Sequence, residues 1–163
     1  MQYEMIITGL TLDPESNTPV LVLKSFEGEE KLPIWIGVLE ATSIAMVIQG
    51  VNLERPMTHD LMKNMLDGLN IVVFKIEISD LIDNTYYAKI HYAMNDKLLS
   101  IDARPSDAIA LGLRFKAPIF VDEKVFQKTK NTDPNVEVMN DTDEGKKMAD
   151  FLNNLSMEDF GQG

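Results

Sequence analysis

Six residues, Asp102 to Asp107 (D-A-R-P-S-D), hold two carboxylates, a guanidinium, a proline and a hydroxyl. A second run with the same grammar, Arg55-Pro56-Met57-Thr58-His59-Asp60, lies upstream: Arg-Pro, then a hydroxyl residue, then an Asp. These side chains suit the handling of an anion. Asp60, Asp102 and Asp107 offer oxygen ligands to a hard cation such as Mg2+. Arg55 and Arg104 can clamp a phosphate through paired N–H donors, and His59 titrates near neutral pH and can serve as general acid or base. Thr58, Ser106 and Glu40 are candidate substrate-binding groups at the same corners. A structural alternative exists for every one of them. Arg104 between two Asp residues can be an ion pair, Asp60 and Asp107 favour helix N-termini, Ser106 and Thr58 can cap, and Glu40 in a first turn complements the helix dipole.

The elements around these groups follow from patterning. Leu98, Leu99 and Ile101 lead into the second corner as a strand, and Ala108 to Leu113 lead out as a helix. Pro105 lacks an N–H and biases Arg104 away from helical angles, which marks a strand-to-helix corner. The first corner opens a helix over Thr58–Leu66, whose Leu61, Met62, Met65, Leu66 and Leu69 recur at helical spacing and read as core. Val38–Gln49 reads as a helix apolar on nearly every face, hence buried on both sides. Residues 2–12, 20–23 and 31–36 read as strands, with Pro33 suited to an edge. Three further strands over 72–79, 85–94 and 97–103, joined by Asp83-Asn84 and Asn95-Asp96, form an antiparallel meander, and Pro118–Val121 is a short last strand. His91 falls on the solvent side of this alternation. Helix, three strands, helix, strand is an α+β order, so the expected fold is an antiparallel-rich mixed sheet with about three helices. The paired corners hint at a duplicated strand-corner-helix unit.

The motifs I-G-V-L-E-A (Ile36–Ala41), R-P-M-T-H-D-L (Arg55–Leu61) and D-A-R-P-S-D-A-I-A-L (Asp102–Leu111) together resemble the bifunctional nuclease domain family, over roughly residues 1–125. The resemblance implies a compact α+β domain that hydrolyses both RNA and DNA. On that reading His59, Asp60, Asp102, Arg104 and Asp107 are the catalytic candidates, and Asp102 and Asp107 the metal candidates.

Composition bounds the rest. A hydrophobic content of 45% in 163 residues supports one globular core. Residues 126–163 read as an acidic flexible tail with a linker around Asn131–Pro134 and a short amphipathic helix near Lys146–Leu155. The net charge is −11, with −6 of it in residues 1–121, so the acidity is spread. Nucleic-acid affinity rests largely on Lys and Arg neutralising phosphates, and no basic run is present. This favours the competing expectation, a non-catalytic oligomeric binding or regulatory module whose Arg-Pro corners are fold determinants. No apolar run reaches the ~18 residues of a membrane span. The absence of cysteine and of a signal-like N-terminus points to the cytoplasm. A homodimer is expected, with the N-terminal hairpin, and the edge Tyr3–Leu12 in particular, as the interface.

Overall fold

The computed structural model describes residues 1–132. Seven strands, β1 (Gln2–Leu12), β2 (Pro19–Ser25), β3 (Lys31–Trp35), β4 (Val72–Ile82), β5 (Thr85–Met94), β6 (Lys97–Ala103) and β7 (Ile119–Asp122), form one sheet in the order β3-β2-β1-β7-β4-β5-β6. All neighbours are antiparallel except β4 and β7. The four-residue β7 joins the N-terminal meander to the central one, pairing with β1 on one side and β4 on the other. This is the expected α+β class, with four helices among the described residues: α1 (Val38–Ile48), α2 (Thr58–Gly68), α3 (Pro105–Phe115) and α4 (Glu123–Thr132). Both central hairpins turn on two residues with positive φ, Asp83-Asn84 and Asn95-Asp96. Asn and Asp tolerate that left-handed backbone, which matches the twist of a two-residue hairpin.

The core lies where α1 and α3 cover the sheet, around Leu21, Leu23, Ile44, Ile76, Ile78, Ile109 and Leu111. Gly112 lets α3 approach β4 closely, because a Cβ there would overlap the Ile76 side chain.

Several expectations change. β1 pairs with β7 over Gln2–Met5 and with β2 over Met5–Leu12, so Tyr3–Met5 is not an edge, whereas Ile6–Leu12 has β2 alone as its strand partner among the described residues. Pro33 does sit on an end strand, β3. α1 is buried only over Ala41–Ala45, while Val38, Leu39 and Ile48 are exposed, because the helix has α3 on one side and, among the described residues, no layer above it. No residue of α2 is buried, and Leu61, Met62, Met65 and Leu69 are exposed; only Leu66 reaches the core. Helical spacing marks a face, but it does not say that something covers the face. His91 lies on the outer face of the alternation, as expected, and its Nε2 lies 2.6 Å from Glu77 Oε2 on the neighbouring strand. The segment after Asp122 begins with α4, which buries Val125, Phe126 and Thr129. The linker around Asn131–Pro134 begins inside that helix, and the short amphipathic helix near Lys146–Leu155 lies outside the described residues. The duplicated unit is not seen, since the first corner follows α1 and a loop whereas the second follows a strand.

Candidate functional site

Three helices bring the two corners together. α3 starts at the end of β6 with Arg104 at its N-cap and Pro105 in its first turn, where a missing N–H costs nothing. Asp107, at the third position of the helix, faces back toward Arg104 at the corner. α2 starts at Met57, and Asp60, three residues on, accepts a hydrogen bond from the Met57 N–H at 3.1 Å. Neither Thr58 nor Ser106 caps its helix.

A continuous chain of polar contacts follows. Arg104 Nη2 donates to Glu40 Oε1 on α1 at 2.9 Å, and Arg104 Nε donates to Asp107 Oδ2 at 2.7 Å. Asp107 Oδ1 lies 3.0 Å from His59 Nε2, and His59 Nδ1 lies 2.9 Å from Ser43 Oγ. Arg114 Nη2 donates to Ser43 Oγ at 3.1 Å, and Arg114 Nε donates to Asp60 Oδ1 at 2.6 Å. Ionised Asp107 can only accept, so it takes the proton of His59 Nε2 and leaves Nδ1 of the neutral ring as an acceptor; Ser43 Oγ, which accepts from Arg114, directs its own proton there. Neutral His59 then carries its proton on Nε2, which donates to Asp107.

Burial grades along this chain. The Arg114 side chain is 7% exposed and that of His59 11%, whereas that of Arg104 is 67% exposed. Partial burial pushes the Asp107 carboxyl upward, but the Arg104 guanidinium and the His59 ring outweigh it and hold it below the usual carboxylate value. The Arg104 guanidinium is raised in turn, first by Asp107 and then by Glu40. The hold on Glu40 depends on Gly37 at the N-cap of α1, where a Cβ would overlap the Glu40 carboxylate.

The exposed end of the chain opens into a cavity of about 800 Å3 between α2 and the β4–β6 part of the sheet. Glu40, Thr58, His59, Asp102, Arg104 and Asp107 line one end, and apolar residues such as Met62, Tyr92 and Ile101 line the other. Asp102 is exposed there and makes no side-chain bond within the described residues. Two carboxylates, those of Glu40 and Asp107, thus hold one guanidinium, while Asp102 stands opposite Lys89 of β5, on the alternate face of β6 from Ile101 and Ala103. Of the remaining candidates, Arg55 lines a separate cavity of about 410 Å3 with Asp60 and Arg114, so it cannot join Arg104 on one phosphate. Ser106 is buried under the first turn of α3 and does not line the cavity, so it is not placed to bind substrate. Ser43 and Arg114 were missed by sequence reasoning. Ser43 lies in an apolar run, and Arg114 sits in the last turn of α3, where a basic residue is expected on dipole grounds alone.

Among the described residues, no three His, Asp or Glu side chains converge in a manner that would hold a metal ion. Both oxygens of Asp107 are engaged by Arg104 and His59, and both of Asp60 by Arg114 and the Met57 N–H. As arranged, the residues form no ready cradle for a Mg2+ shared by Asp102 and Asp107.

Comparison with known proteins adds the following. The model of the bifunctional nuclease domain matches residues 21–133. An uncharacterized protein of Mycobacterium tuberculosis is 35% identical over 162 residues, covering 96% of this chain and 97% of that protein. Bifunctional nuclease 2 of Oryza sativa subsp. japonica is 30% identical over 118 residues, and Bifunctional nuclease 2 of Arabidopsis thaliana is 32% identical over 108. These alignments cover 69% and 63% of this chain, but 36% and 32% of the plant proteins.

Proposed function

The chain belongs to the bifunctional nuclease domain family, and from that premise we propose that it hydrolyses phosphodiester bonds of RNA and DNA at the cavity between α2 and the sheet. The observation that carries this reading is the state of Arg104. It is fixed by two carboxylates through Nε and Nη2, yet two-thirds exposed at the cavity, with Nη1 left for a ligand. A guanidinium oriented in advance is suited to the charge that builds on the equatorial oxygens of a phosphodiester. In this reading Asp102, a residue of the cavity lining whose carboxylate has no ion pair among the described residues, accepts the proton of the attacking water. The water oxygen bonds to phosphorus, the ester P–O bond breaks, and the leaving oxygen takes its proton from solvent. His59 is engaged through both nitrogens, so its part is to position Asp107, and through it Arg104, rather than to touch the substrate. Glu40 and Asp107 are positioning residues in the same sense, and Asp60 acts at one further remove, through Arg114. Thr58, exposed at the cavity, is placed to bind a substrate oxygen. Mg2+ would have to be recruited through Asp102, with most of its ligands supplied by water and substrate. A cysteine-free chain of this kind suits the cytoplasm.

The Glu40–Arg104–Asp107–His59–Ser43–Arg114–Asp60 chain also supports a second reading, in which the corners serve only to pin α1, α2 and α3 together. Arg104→Lys separates the two. Lysine keeps the charge and loses the planar fork. For the nuclease, turnover on RNA falls at least tenfold while stability changes by less than about 1 kcal/mol, as for an exposed ion pair. Full turnover with a clear loss of stability would favour the structural reading.

A further inference from the structure

We propose that a second copy of this chain pairs antiparallel along β6, and that its Lys97 enters the mouth of the first copy's cavity. The sheet has two ends. β3 is five residues long and carries Pro33, which blunts it against pairing. β6 is seven residues long, with no proline and no break in its register with β5. It leaves Leu98 75% and Ile101 55% exposed. An unblunted apolar edge of this kind is a template for another strand.

The register follows from the pleat. Met94, Tyr92, Ile90 and Ala88 stand opposite Lys97, Leu99, Ile101 and Ala103, and several of them line the cavity, so these four β6 residues share the cavity face. A two-fold axis perpendicular to the sheet pairs residues of the same face. Centred on Ser100, it sets Leu99 of each copy against Ile101 of the other on the cavity face, and Leu98 against the aliphatic stem of Asp102 on the opposite face. The same register sets Lys97, at the start of β6, opposite Ala103 of the other copy, between Asp102 and Arg104 in sequence. The only basic side chain of β6 thereby reaches the end of the cavity where Glu40 and Asp107 hold Arg104.

The area suffices. Leu98, Leu99 and Ile101, with Leu39 and Met62 on the lip of the cavity, are on average a little over half exposed. At roughly 100 Å2 for a fully exposed aliphatic side chain, they supply about 300 Å2 of apolar surface per copy. Apolar atoms make up about 60% of a typical interface, so about 1,000 Å2 is buried in total, the lower bound for a specific contact.

Light scattering, a single-cysteine variant and a charge variant test this together. The chain has no cysteine, so Ser100→Cys introduces its sole thiol. The wild type is expected at dimer mass. Air-oxidised Ser100→Cys should run mostly as a covalent dimer on a non-reducing gel, because the two Cα atoms at the dyad fall within disulfide range, while Ser16→Cys in the exposed turn before β2 stays monomeric on that gel. Ile101→Lys should give monomer mass with an unchanged far-UV spectrum. A monomeric wild type, including one whose own C-terminal residues cover β6, overturns the proposal, as does a dimer that survives Ile101→Lys and leaves Ser100→Cys uncrosslinked. The contribution of Lys97 to turnover rests on the nuclease reading: Lys97→Ala should keep dimer mass and lose about tenfold on RNA, and unchanged turnover refutes that contribution. An inactive wild type would remove the nuclease reading and leave the dimer to be judged on mass and cross-linking alone.

Discussion

Asp107 is the residue on which the two corners converge, since one oxygen meets Arg104 and the other His59. Its folded carboxyl titrates below the ordinary 3.8, so the ionised form favours the folded state. That contribution is present in full above pH 3.8 and is lost as pH falls through the depressed value. Asp107→Asn should therefore show a smaller drop in urea midpoint between pH 6 and pH 3 than the wild type; equal drops would mean that the pair contributes nothing. Arg114 belongs to the same chain but is buried, so Arg114→Ala removes the donor to Ser43 and the cation paired with Asp60, which keeps only the Met57 N–H, and should cost about 3 kcal/mol in urea unfolding. A cost below about 1 kcal/mol would remove Arg114 from the network. The types and the corner placement of His59, Asp102, Arg104 and Asp107 were legible in the sequence, because proline and local spacing fix a corner. The pairing of His59 with Ser43 was not, since nothing local signals a contact between residues on different helices.

Elements were legible where the signal is local and were misjudged where a neighbour decides. The strands, both two-residue turns and the helix starts follow from alternation, Asn and Asp placement, and proline. The exposed stripe of α2 and the burial of α4 depend on which surfaces lie opposite, and periodicity carries no such information. α4 is tied down by charge as well as by Val125 and Phe126: Asp80 on β4 receives Lys128 Nζ at 2.6 Å and Lys124 Nζ at 3.3 Å. The Lys128 hydrogen bond is the main cause that lowers the Asp80 carboxyl to about 2. Its contribution holds above pH 3.8 and fades between there and about pH 2. A chain ending at Thr132 should keep the full-length thermal midpoint within about 2 °C, whereas one ending at Asp122 exposes the core under Phe126 and should lose several degrees. A full-length midpoint retained on ending at Asp122 would show that α4 does not belong to the fold.

For the molecule as a whole, a net charge of −11 and an acidic cavity set the main difficulty for a nuclease. An anionic polymer must find a local cation, and among the described residues Arg104 is the one guanidinium or ammonium that lines the cavity. The family was legible from three motifs, whereas the sheet order was not, because the four-residue β7 between β1 and β4 is a long-range insertion that no local pattern encodes. The most direct measurement is the hydrolysis of a short single-stranded RNA by purified protein, wild type against Asp102→Asn, each with and without EDTA. Asp102 is exposed and unpaired, so the substitution should leave the thermal midpoint unchanged. The expected result is turnover by the wild type and a loss of at least a hundredfold in Asp102→Asn, with the EDTA arms showing whether the carboxylate acts alone or through a recruited cation. Equal turnover by the two proteins, or none by the wild type with or without added Mg2+, would contradict the assignment of phosphodiester hydrolysis to this cavity.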